Sequence, residues 1–149
     1  MRKISKHISY KEATNSNYAK KHDIENKPND EQLENMRLIA EEVFEPLRKW
    51  VGGPIRVNSF FRSKELNSGI NGSKTSSHLK GQAIDITSMG LKSNSEMFYY
   101  IKDNLEFDQL IWEYGKRNPK WLHVSFNKVK NRKQVLIIKE VGQYKYFNE

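Results

Sequence analysis

No cysteine occurs in the 149 residues. Disulfides and thiolate metal sites are therefore excluded, and a transition metal must be held by histidine, aspartate or glutamate. No apolar run is long enough to span a bilayer, so membrane insertion is not expected. The N-terminus, Met1-Arg2-Lys3-Ile4-Ser5-Lys6-His7, is basic, but no apolar stretch follows it, and it does not read as a secretory signal. The expectation is a protein made in the cytoplasm and kept there until something else releases it. There is no internal repeat, no low-complexity stretch, no Gly-rich phosphate loop and no aromatic RNA-binding motif. The lysines form no stripe, so nucleic acid is not an expected partner.

What the chain does have is basic charge, a net +8 at neutral pH. That balance fits attraction to a polyanion such as an anionic envelope, and it equally fits a solvated, lysine-rich surface. Hydrophobic residues make up 36%, with three Trp, seven Tyr and seven Phe among them. This supports one modest, aromatic-rich core: a single domain over residues 1–149, with its core at about 10–139, expected to be monomeric.

Ser9-Tyr10-Lys11-Glu12 has capping-box spacing and predicts a helix through about Ala19. Asn29 or Asp30 caps a longer helix whose apolar positions, Leu33, Met36, Ile39, Ala40, Val43, Phe44, Leu47 and Trp50, recur at three- and four-residue steps. Gly52-Gly53-Pro54 ends it. Ser93 or Asn94 caps another helix, carrying Met97, Phe98, Ile101 and Leu105. Strands are expected at 55–59, 83–87, 109–113, 121–126 and 134–139, the third and fourth joined as a hairpin through 115–119. Helices lead and strands dominate the second half. The class is α+β, with N-terminal helices packed on a small, mostly antiparallel sheet.

The chemistry concentrates in Ser76-Ser77-His78-Leu79-Lys80-Gly81-Gln82-Ala83-Ile84-Asp85 and in Trp121-Leu122-His123-Val124-Ser125. His78 and Asp85, joined through a glycine turn, can converge on one point, and His123 from a distant strand can close a third corner. Three protein ligands with an open fourth position suit a catalytic zinc. Side chains alternate along strands, so His123 faces away from Leu122 and Val124, Asp85 away from Ile84 and Ile86, and Glu113 away from Trp112. Polar faces aligned across paired strands would gather His, Asp, His and Glu on one side. Blander readings exist for each residue. Glu113 could pair with a lysine and Arg62 could be a surface salt-bridge partner, whereas a carboxylate between two isoleucines needs a cation.

The pattern Ser76-x-His78-x-x-Gly81-x-Ala83-x-Asp85, with Ser59-x-x-Arg62 before it and Trp121-x-His123 after it, resembles the zinc D-alanyl-D-alanine metallopeptidases. That family includes D,D-carboxypeptidases, D,D-dipeptidases and phage L-alanyl-D-glutamate endolysins, and it shares the Hedgehog/DD-peptidase fold. Ile24-x-Asn26-x-Pro28 and Pro46-Leu47-Arg48 extend the likeness, which runs from about Tyr10 to about Leu136. The resemblance implies that His78, Asp85 and His123 bind one zinc ion, that Arg62 holds a substrate carboxylate, and that Ser76 lies beside the peptide or orients His78. Many relatives carry an acidic base three residues before the last histidine, where this chain has Lys120. Glu113 is then the expected catalytic base and Asp108 the runner-up.

The implied function is zinc-dependent hydrolysis of peptidoglycan stem peptides or cross-links, by a D,D-carboxypeptidase or endopeptidase. A phage-type endolysin that degrades the cell wall after release, or a virion-associated enzyme, would suit the missing signal. The alternative is a catalytically silent, zinc-stabilised wall-binding module.

Overall fold

Alternating side chains on two central strands decide which way the sheet faces. The computed structural model describes residues 2–140 and 143–147. A six-stranded sheet carries β3 (Ile55–Ser59), β4 (Ala83–Ser88), β5 (Gln109–Glu113), β6 (Trp121–Ser125), β7 (Gln134–Glu140) and β8 (Gln143–Tyr146), in the order β3-β4-β6-β5-β7-β8. All its neighbours are antiparallel except β5 and β7. The class is the expected α+β with a mostly antiparallel sheet, and the hairpin of β5 and β6 pairs Leu110 with Val124 and Glu113 with Trp121.

One row across the sheet reads Ile84, Val124, Leu110, Val135 and the next reads Ile86, Leu122, Trp112, Ile137. These residues face the helices and join one core with Leu33, Met36, Ile39, Val43, Leu47, Met97, Phe98 and Ile101. Each such large side chain, once buried, contributes about 1.5–3 kcal/mol. The row between them reads Asp85, His123, Ile111, Leu136 and belongs to the opposite face. The core thus fixes the register that brings Asp85 beside His123.

The long expected helix is present as α3 (Asp30–Ile39), a π-helical turn (Ala40–Phe44) and α4 (Glu45–Val51). Asn29 and Gln32 form a capping box at its start, and Gly52, at φ 78°, ends it. Pro46 lacks the N–H that would continue the regular ladder, and the wider turn lies just before it. The first helix differs from expectation. It breaks into α1 (Tyr10–Thr14) and α2 (Asn17–Lys21), because Asn15 is extended and Ser16 caps a new start by accepting from the Ala19 N–H. A small hairpin of β1 (Lys3–Ser5) and β2 (Ile8–Ser9) precedes them. The remaining helices are α5 (Lys64–Gly69) and α6 (Asn94–Asn104), the latter with a Ser93–Glu96 capping box. No helix among the described residues is long and apolar enough to cross a membrane.

Candidate metal centre and active site

His78 sits in a 3₁₀ turn, Ser77–Lys80, whose N-cap Ser76 accepts the His78 N–H in its Oγ at 3.2 Å. Gly81 ends the turn at φ 72°, and a Cβ there would lie 2.5 Å from the Gln32 carbonyl oxygen. Both the left-handed conformation and the close approach of α3 require glycine. The chain then enters β4, where Asp85 stands opposite His123 of β6.

One ligand atom from each of His78, Asp85 and His123 can be chosen so that all three lie within 4.8 Å of one another. Asp85 Oδ1 is 2.9 Å from His123 Nδ1 and its Oδ2 is 3.2 Å from His78 Nε2. His78 is 1% exposed. Its Nδ1 lies 2.6 Å from the Phe60 carbonyl oxygen. A carbonyl can only accept, so Nδ1 carries a proton, and a neutral ring then turns the Nε2 lone pair toward a carboxylate oxygen. Nε2 is buried without a hydrogen-bond partner. Two facing electron pairs need a proton or a metal ion between them. A carbonyl fixing the distal nitrogen is also how metal-binding histidines are usually oriented.

Electrostatics separates the two carboxylates of the site. Burial pushes the Asp85 carboxyl up, but the adjoining imidazoles of His78 and His123 outweigh it and hold the group well below the usual range. Burial lowers His123, and the hydrogen bond and charge of Asp85 raise it overall. Glu113 goes the other way. Burial and then the Asp85 charge push it up, against the weaker effects of His123, the Trp121 indole N–H and Arg62. That indole donates to Glu113 Oε2 at 2.8 Å.

These residues line one cleft of ≈ 490 Å³, together with Arg62, Ser73, Thr75, Ser76 and Tyr144. Arg62 donates from Nε to Ser59 Oγ at 3.3 Å and from Nη1 to Asn67 Oδ1 at 3.1 Å, and its Nη2 is 3.9 Å from Asp85 Oδ2. Asp108 is not among the lining residues: Arg132 holds both its oxygens at 2.9 Å. Lys120 donates its backbone N–H to the carbonyls of Glu113 and Tyr114. His7 pairs with Glu45 and His22 stacks on Tyr18, so neither joins the cleft.

A family model described as Peptidase M15 matches residues 6–125. The chain belongs to the peptidase M15 family. Peptidases of this family are zinc-dependent, so the chain is a metallopeptidase, and the buried, unpartnered Nε2 beside a carboxylate and a second imidazole fits the ion. The matched span holds His78, Asp85, His123, Arg62, Ser76 and Glu113, while β7 and β8 lie beyond it. No curated protein matches the chain.

Two contributors to this M15 site are not evident from the sequence. Asn26 donates to the carbonyls of Thr14 and Phe61 and accepts the Ser63 N–H at 2.7 Å, which clamps the segment bearing Arg62. Its only signal is its place in the Ile24-x-Asn26-x-Pro28 pattern. Tyr144, on β8, has no signal of its own.

Proposed function

We propose that this metallopeptidase hydrolyses peptides of peptidoglycan, either stem peptides or cross-links, as a lytic enzyme of the phage type acting on the wall after release or from a virion. Residues 1–149 would form one zinc peptidase domain. His78, Asp85 and His123 would hold the zinc, and the observation that carries this is the buried Nε2 of His78, without a hydrogen-bond partner and 3.2 Å from an Asp85 oxygen. Zinc bound there supplies Lewis acidity, polarising the scissile carbonyl and bringing a water's pKa toward neutrality.

The chain's own residues do the rest. Glu113 takes the proton of the attacking water and passes it to the leaving amine. Burial raises its pKa above the ordinary glutamate value, which strengthens it as a proton acceptor. Trp121 holds the Oε2 of Glu113 in place. Arg62 binds the substrate carboxylate through N–H groups that Ser59 and Asn67 leave free, which aligns the scissile bond. Ser76 caps the turn that presents His78 and lies beside the bound peptide.

Lys120 stands where many relatives carry an acid, and this favours a second reading, a silent zinc-stabilised wall-binding module. Turbidity of bacterial walls separates the two. The peptidase clears them, chelator stops it, and Glu113→Gln stops it while zinc stays bound. Binding without clearing at any zinc concentration would establish the silent module, and full clearing by Glu113→Gln would remove Glu113 from its role.

A further inference from the structure

Asn67 is a helix residue with no evident chemistry in the sequence, yet it is 3% exposed and every polar group of its side chain is engaged. Oδ1 accepts from Arg62 Nη1 at 3.1 Å, and Nδ2 donates to the Ser73 carbonyl at 2.9 Å. A guanidinium only donates and a carbonyl only accepts, so the amide has one possible orientation. Its backbone is tied as well: the Asn67 N–H donates to Ser63 O at 2.9 Å and its carbonyl accepts from the Gly72 N–H at 2.8 Å.

Gly72 presses against the same amide. A Cβ there would lie 2.1 Å from Asn67 Oδ1 and 3.0 Å from Arg62 Nη1. The loop beginning at Gly72 carries Ser73, Thr75 and Ser76, which form the hydroxyl-bearing wall of the cleft. One buried amide therefore sits between the cleft's arginine and the loop that walls the cleft, with no space for a larger residue at Gly72.

We propose that Asn67 is a positioning residue that sets the guanidinium of Arg62 and the wall at residues 72–76 in one geometry, with Gly72 supplying the close approach. The proposal rests on the reading of Arg62 as the carboxylate-binding residue only for its kinetic consequence. Asn67 never touches the substrate. It acts by fixing which N–H groups of Arg62 remain for a carboxylate and where they point. An arginine released from this amide would have to be ordered by the substrate at each binding event, so the cost falls on binding rather than on the chemical step.

The test uses the full, zinc-loaded chain and two readouts. The first is hydrogen exchange at the Arg62 Nη1 hydrogens, which donate to Asn67 Oδ1, followed by NMR and assigned by their loss in Arg62→Ala. Asn67→Ala should speed that exchange at least about tenfold, the worth of one hydrogen bond to a charged group, with zinc still at one per chain. Unchanged exchange overturns the proposal. The second is kinetics on a soluble muropeptide with a free C-terminal carboxylate. Asn67→Ala should raise KM about tenfold with kcat within about twofold, and Asn67→Ala added to Arg62→Ala should do less further harm than it does alone, the remainder coming from the Ser73 contact. Independent, additive effects would overturn it. If Arg62→Ala leaves KM untouched while Asn67→Ala still frees the guanidinium, the substrate role of Arg62 fails and the positioning role stands. Asn67→Asp guards against a misfolded alanine variant. It keeps the acceptor and loses the donor, so the Arg62 signal should persist while amides of 72–76 exchange faster. Protection of those amides at the parent level would again overturn the proposal.

Discussion

Two carboxylates share one face of the sheet in opposite electrostatic settings. At the β4/β6 corner, Asp85 is flanked by two imidazoles that keep it ionised in spite of burial. On β5, on the far side of β6, Glu113 has burial and the Asp85 charge acting together, and its hydrogen-bond donor, the Trp121 indole, is too weak to reverse them. A carboxylate held in its charged form suits a metal ligand, and one pushed toward its uncharged form suits proton transfer. The difference comes from neighbours in space, since both are strand residues that follow an apolar residue in sequence.

The comparison breaks most completely at the ligand corner. Asp85→Asn should reduce bound zinc from one per chain to a trace and lower turnover by about a thousandfold or more, as read by metal analysis beside a peptide-release assay. Retained zinc would place the ion elsewhere. Glu113→Gln should lower kcat about 10²- to 10⁴-fold and leave zinc at one per chain, which separates the two carboxylates by function. Trp121→Phe sharpens the contrast. In its proposed role Glu113 must be deprotonated to act, so kcat/KM should fall as pH drops through its pKa. The indole N–H favours the charged form, and its removal should move that acid limb to higher pH, by up to about one pH unit. A limb displaced to lower pH would contradict the account.

The smallest effect lies far from the cleft. Glu45 accepts from Ser5 Oγ at 2.5 Å and from the His7 N–H at 3.0 Å, and pairs with the His7 ring, tying the β1–β2 hairpin to the long helix. Burial raises Glu45, but these bonds together hold it below the usual range. Its contribution is therefore complete above the ordinary glutamate range and disappears as pH falls through the lowered value. Hairpin amides should exchange faster in that acid window, and Glu45→Gln should flatten the dependence.

Alternation along the strands makes the site's face legible in the sequence. Leu110 with Trp112 and Leu122 with Val124 are apolar partners on one side, which leaves Glu113 and His123 on the other, and the observed register agrees. The spacing of His78 and Asp85 around Gly81 likewise carries real geometry, since only glycine fits at φ 72° against α3. A period of two assigns faces but not neighbours, so the parallel pairing of β5 with β7 is not readable from it. Strand β8 lacks a buried apolar side, with Tyr144 and Tyr146 both exposed, and gives no signal. The break at Asn15 depends on Ser16 winning as a cap over helix continuation, a local competition that the capping-box spacing at Ser9 conceals. Asn26 is hard to read because its partners Thr14, Phe61 and Ser63 come from chain segments that only folding brings near, and Asn67, whose partners Arg62 and Ser73 are close in sequence, because a polar helix residue is ordinarily exposed.

Anomalous diffraction at the zinc edge, from crystals grown with zinc supplied, tests the centre of this account most directly. It should show one peak per chain, ligated by His78 Nε2, an Asp85 oxygen and a His123 nitrogen, with a coordination position open to the cleft. A peak elsewhere, or none with those three side chains turned apart, would contradict it.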